Sequence, residues 1–160
     1  MTDSGQPMLP GGAGDRLLLT LWVGGLWAVG YLVAPTLFAT LEDRQLAGQI
    51  AGQLFHLMSL IGLVCGGLLL VGAALRNGVA ALREWRVGVV GLMLVATVIG
   101  SYVLQPQMAA LKLEGIAEGS AAAAQFGRLH GISSGLWMLN SLLGLALVVA
   151  AGPFRARRVG

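Results

Sequence analysis

Hydrophobic residues fall into four long runs separated by short polar stretches. No Asp, Glu, Lys or Arg interrupts Leu17 to Leu41, Gln45 to Leu75, Val87 to Leu111 or Leu129 to Phe154. A helix rises 1.5 Å per residue, so roughly 20 apolar residues cross a ~30 Å hydrocarbon core. Each run is long enough. The pattern predicts helices over about 15–39, 43–77, 83–113 and 121–154, with membrane spans at about 17–38, 54–75, 87–107 and 131–152. Asn77-Gly78 reads as a helix stop, and Glu114 to Ser120, carrying Gly115 and Gly119, as a loop. Residues 1–14 read as a disordered amino-terminal segment, and 155–160 as a basic tail beyond Pro153. The expected fold is an all-α membrane protein: a four-transmembrane-helix bundle built from two repeated helical hairpins.

Composition sharpens this picture. The chain is 56% hydrophobic and 11% charged, whereas a soluble domain carries about 25% charged residues. The net charge of +3 does not mark a nucleic-acid binder, because the basic residues sit in short connections between spans. They give an orientation instead. With the amino terminus inside, Arg16, Arg76, Arg83, Arg86, Arg155, Arg157 and Arg158 are cytoplasmic, and only Arg44, Lys112 and Arg128 lie outside. The positive-inside bias therefore predicts both termini in the cytoplasm, in a bacterial inner membrane. Cys65 is the sole cysteine and falls within a span, so no intramolecular disulfide forms.

Two motifs recur in order. Tyr31-Leu-Val-Ala-Pro35 in the first span matches Tyr102-Val-Leu-Gln-Pro106 in the third, both Y-x-x-x-P. His56-Leu-Met-Ser59 in the second matches His130-Gly-Ile-Ser133 in the fourth, both H-x-x-S. Pro35 and His56 are 21 residues apart, Pro106 and His130 24. Each half has two spans, so the halves share one orientation and are expected to be related by an axis along the membrane normal.

These motifs predict a polar cluster near the outer boundary. Proline donates no hydrogen bond to the carbonyl four residues back, here Tyr31 and Tyr102. In hydrocarbon a lone carbonyl costs several kcal/mol unless something satisfies it. His56, His130, Ser59 and Ser133 are the polar side chains at about that height. Two readings stay open. In one, the histidines cap kinked helices through the freed carbonyls and the tyrosine hydroxyls. In the other, His56 and His130 ligate a metal or cofactor (copper or haem iron), with Ser59, Ser133, Tyr31 and Tyr102 around them. Met58 and Met108 would add thioethers for Cu(I), although methionine in a membrane helix is more often packing.

Gly127, Gly131 and Gly135 on the fourth helix, and Gly48/Gly52 and Gly62/Gly66 on the second, repeat a small-residue spacing that lets helices approach closely. Packing of the second helix on the fourth would draw the two histidines together. No span carries a carboxylate or lysine, and no P-loop, G-x-S-x-G, H-E-x-x-H or C-x-x-C occurs. An enzyme is therefore not expected.

The stretches Trp22 to Phe38, Ala47 to Phe55, Tyr102 to Met108 and Leu129 to Ser134 together resemble the family around transmembrane protein 205, over about Leu17 to Leu147. That resemblance implies a link to metal handling and supplies no catalytic residues. The expected function is non-enzymatic metal or cofactor binding, or small-solute handling, at the outer face of the bundle. The alternative is an accessory or assembly subunit of a larger membrane complex. The bilayer is the expected partner, with a homo-oligomer or larger complex also in view.

Overall fold

The computed structural model describes residues 12–115, 117 and 119–150. The predicted amino-terminal segment up to residue 11 and the basic tail lie outside the described residues. The first span is α1 (Ala13–Trp27), a π-helical stretch (Ala28–Val33) and α2 (Ala34–Thr40), in continuous succession. The second is the long helix α3 (Arg44–Asn77). A short 3-10 helix (Gly78–Arg83) leads to the third span: α4 (Trp85–Val98), a second π-helical stretch (Ile99–Leu104) and α5 (Gln105–Glu114). The fourth is α6 (Ala121–Ala150). All four spans are long and apolar enough to cross a membrane. Large apolar side chains such as Leu17, Leu68, Val95 and Val149 stand exposed on them, as a lipid-solvated surface requires. The protein is an integral membrane helical bundle.

Local chemistry sets the ends. Asp43 caps α3 by accepting from the backbone N–H groups of Gln45 at 2.8 Å and Leu46 at 3.1 Å. Gly78 ends the same helix at φ +56°, a left-handed conformation that a Cβ would strain. Ser120 Oγ accepts from Ala123 N at 3.1 Å, capping α6.

The prolines produce the π-helical stretches, and both sites are built alike. Ala34 N–H bonds to Val29 O and Gln105 N–H to Gly100 O, each five residues back. Pro35 and Pro106 follow next in each case. Thr36 Oγ1 then donates to Leu32 O at 2.7 Å, and Gln107 Nε2 to Val103 O at 2.9 Å. A wider turn and a local side-chain donor thus accompany each proline within its own helix. Among the described residues neither His56 nor His130 donates a hydrogen bond to the Tyr31 or Tyr102 carbonyl, the role the capping reading gave them. Ser59 Oγ instead donates to Phe55 O of its own helix at 2.9 Å.

The spans form a ring in which each packs on its sequence neighbours and the first closes on the fourth. The second and fourth therefore lie across a diagonal, correcting the expectation that their glycines pack them together. Gly62 and Gly66 of α3 instead seat the indole of Trp22 from the first span, while open space surrounds Gly127, Gly131 and Gly135.

Packing is uneven along the membrane normal. The core, with Leu19, Trp22, Val23, Leu26, Cys65, Leu69, Val90, Met93 and Leu147, lies in the half nearer the 3-10 connection. There α1 packs on α6 and α3 on α4, joining the two hairpins. Beyond the π-helical stretches α2 packs on α3 and α5 on α6, each within its own hairpin, and no comparable packing joins the hairpins. Buried residues of α6 are Asn140, Ser141, Gly144 and Leu147, all near its C-terminal end. The hairpins are clasped at one end and part towards the other.

Candidate functional site

Trp137 of α6 stands where the hairpins part. Its ring meets Phe55 of α3 edge-on, with centroids 4.6 Å apart. Its indole nitrogen presses on Gly30, where a Cβ would have no room. Trp137 thus spans from the fourth helix to both helices of the first hairpin.

One turn deeper is a set of polar side chains on an otherwise apolar interior. Thr97 Oγ1 donates to Met93 O at 2.8 Å, and Asn140 Nδ2 donates to Thr97 Oγ1 at 3.0 Å. Ser141 Oγ donates to Trp137 O at 3.0 Å, while Trp27 Nε1 donates to Ser141 O at 3.3 Å. Thr97, Asn140 and Ser141 are all buried, Asn140 to 3% exposed. Thr97 has spent its single proton on Met93, so it only accepts from Asn140. Asn140 Oδ1 and Trp137 Nε1 are buried without a hydrogen-bond partner among the described residues.

The residues expected from sequence sit around this centre. Tyr31 adjoins Gly30 and His56 adjoins Phe55, so both stand near the level of Trp137. Tyr31 and Tyr102 are exposed, as are both histidines, and Ser59 and Ser133 are half-buried. Tyr31 stacks obliquely on Trp27 at 5.1 Å between centroids. His130 is seven residues from Trp137, about 10 Å further out at 1.5 Å per residue. There it stacks on Phe126, centroids 6.0 Å apart, with Lys112 Nζ 5.4 Å from the same ring. The two histidines thus occupy different heights on diagonal helices, and among the described residues no hydrogen bond links either to the tyrosines. Among the described residues no group of three or more His, Cys, Asp or Glu is gathered as a metal site. Met58 and Met108 are both buried, Met58 against Gly25 of the first span.

Asn140, Thr97 and Trp137 were not singled out from sequence. A signal existed: the chain has two asparagines, and Asn77 ends a helix while Asn140 lies inside a span. An amide in hydrocarbon is costly and marks a site for scrutiny.

Fold and site define an integral membrane bundle with an intramembrane polar centre. The chain belongs to the DUF4149 family, a domain of unknown function, whose family model matches residues 17–117. That match takes in the first three spans and leaves Trp137 and Asn140 outside it. No curated protein and no solved structure matches the chain.

Proposed function

We propose that the protein is a non-enzymatic membrane bundle that takes a small solute into the cleft between its hairpins. The observation that carries this reading is the parting of the hairpins beyond the π-helical stretches, above a closed core around Trp22. The arginine distribution orients the cleft away from the cytoplasm, with both termini inside a bacterial inner membrane. The test uses a Cys65→Ala background with single cysteines at Ser59, Ser133 or Leu69. A membrane-impermeant maleimide added outside labels the first two and spares Leu69→Cys. Failure of both Ser59→Cys and Ser133→Cys to react sinks the cleft.

Support for a duplicated hairpin comes from the paired π-helical stretches, each set identically against its Y-x-x-x-P motif. A narrower form of the proposal, a metal or haem held by His56 and His130 and flanked by Tyr31, Tyr102, Ser59 and Ser133, requires the two imidazoles to close a separation of about 10 Å along the membrane normal. The resemblance to the transmembrane protein 205 family favours metal as the cargo. Metal analysis and an absorption spectrum of the purified protein test it. Metal or a haem band lost on His56→Ala with His130→Ala supports it, and a colourless, metal-free preparation removes it.

A second reading, an accessory subunit or homo-oligomer, is favoured by one observation. Gly127, Gly131 and Gly135 form an exposed small-residue face with nothing packed on it. Purification from mild detergent with a stoichiometric partner, lost on Gly131→Ile, would favour this reading.

A further inference from the structure

A groove follows the seam between α3 and α4 at the end of the bundle that carries the 3-10 helix. Its volume is about 700 Å³, and apolar side chains and glycines alone line it. From Gly78 to Leu70 it runs along α3 for about 12 Å at 1.5 Å per residue. Its depth comes from α4, where Gly88 and Gly91 line it and a Cβ on either would meet nothing within 4 Å. Val71, Val79 and Leu82 of the lining stand exposed, so the groove opens on the lipid-facing side. Charge gathers where it ends. From Arg76 to Arg86 the connection carries three arginines and a single carboxylate, Glu84. Arg76 is bonded to Asp15, and Arg86 is buried and donates to Ala150 O. Arg83, next to the groove-lining Leu82, is exposed and has neither ion pair nor hydrogen bond among the described residues.

We infer that this groove holds one acyl chain of an anionic phospholipid from the surrounding leaflet, with the lipid phosphate on Arg83. The lining offers no polar side chain to a solute, so the occupant's body is hydrocarbon. A chain lying there supplies packing partners to walls that would otherwise lack them. The guanidinium meets phosphate oxygens with paired N–H donors, a match that a neutral head group does not reward with the same net charge. The site lies at the opposite end of the bundle from the proposed cleft and does not rest on it.

Native mass spectrometry of the full chain in detergent, titrated with dioleoyl phosphatidylglycerol or dioleoyl phosphatidylcholine, reads the occupancy. The two lipids share their chains and differ in head-group charge. The unmodified chain is expected to take its first phosphatidylglycerol about fivefold more tightly, the scale of one arginine at an anionic surface. Gly88→Leu with Gly91→Leu fills the groove on a helix that leucine favours over glycine, and is expected to weaken that first binding at least tenfold. Gly127→Leu, also at a glycine facing open space, should leave it unaltered. Arg83→Gln is expected to bind the two lipids alike. Equal uptake of both lipids by the unmodified chain overturns the site and needs no variant. Unaltered phosphatidylglycerol binding by the leucine pair, in a chain that still unfolds cooperatively, overturns it too. A dimer that the leucines disrupt, without preference for the anionic lipid, gives the groove to a second copy of the chain and overturns the lipid.

Discussion

The indole of Trp22 lies so close to the backbone of Gly62 that a Cβ there would stand 2.5 Å from Nε1. Trp22 is wholly buried and has no exposed side to retreat to. Gly62→Ala is therefore expected to destabilise the bundle by about 1–3 kcal/mol through overpacking. Gly127→Ala, facing open space, is the control and should change stability by less than about 0.5 kcal/mol. Reversible unfolding in mixed detergent micelles measures both, and equal effects would contradict the seating of Trp22.

The Asn140–Thr97 bond ties the fourth span to the third inside the second hairpin. A double-mutant cycle with Asn140→Leu and Thr97→Val should give a coupling of about 0.6 kcal/mol, the scale of interhelical hydrogen bonds in membranes. A coupling of zero would mean the amide does not use the threonine.

Asp15 and Arg76 meet at 2.7 Å and join the first and second spans near the 3-10 connection, with side chains 10% and 44% exposed. The arginine is open enough for solvent to screen the pair. Arg76→Gln is expected to cost about 0.2–1 kcal/mol, less at high salt. A salt-independent loss would assign the effect to packing of the arginine stem.

His56 and His130 are exposed, and neither supports the proline carbonyls. Replacing both with alanine should leave unfolding stability within about 0.5 kcal/mol. A loss of several kcal/mol would restore the capping role that the sequence pattern implied for them.

Four membrane helices were legible because lipid leaves a plain mark: runs free of charge, with arginines gathered at their ends. Asn77-Gly78 was legible as a stop for a similarly local reason, and the structure places Gly78 in the backbone region that glycine favours. The proline sites were visible too, but not the local donors that accompany them. Thr36 and Gln107 lie one residue past each proline and reach back along their own helix. Which spans touch was not legible. In a soluble helix the apolar stripe names the buried face, but here lipid and core both take leucine, so the inward face carries no compositional signature. Hence the diagonal placement of α3 and α6, and the role of Trp137 between them, emerge only in three dimensions.

The tight connection between hairpins has a mechanical consequence. Ala81 of the 3-10 helix is buried with Ala73 and Val87, which fastens α3 to α4 within a few residues of the turn. Relative movement of the hairpins is then a swing about that fastened end, with little freedom to slide. Displacement in a swing grows with distance from the pivot, so over a ~30 Å span a rotation of about 5° carries the far tips by about 3 Å. A small adjustment beside Ala81 would thus be amplified across the thickness of the bilayer.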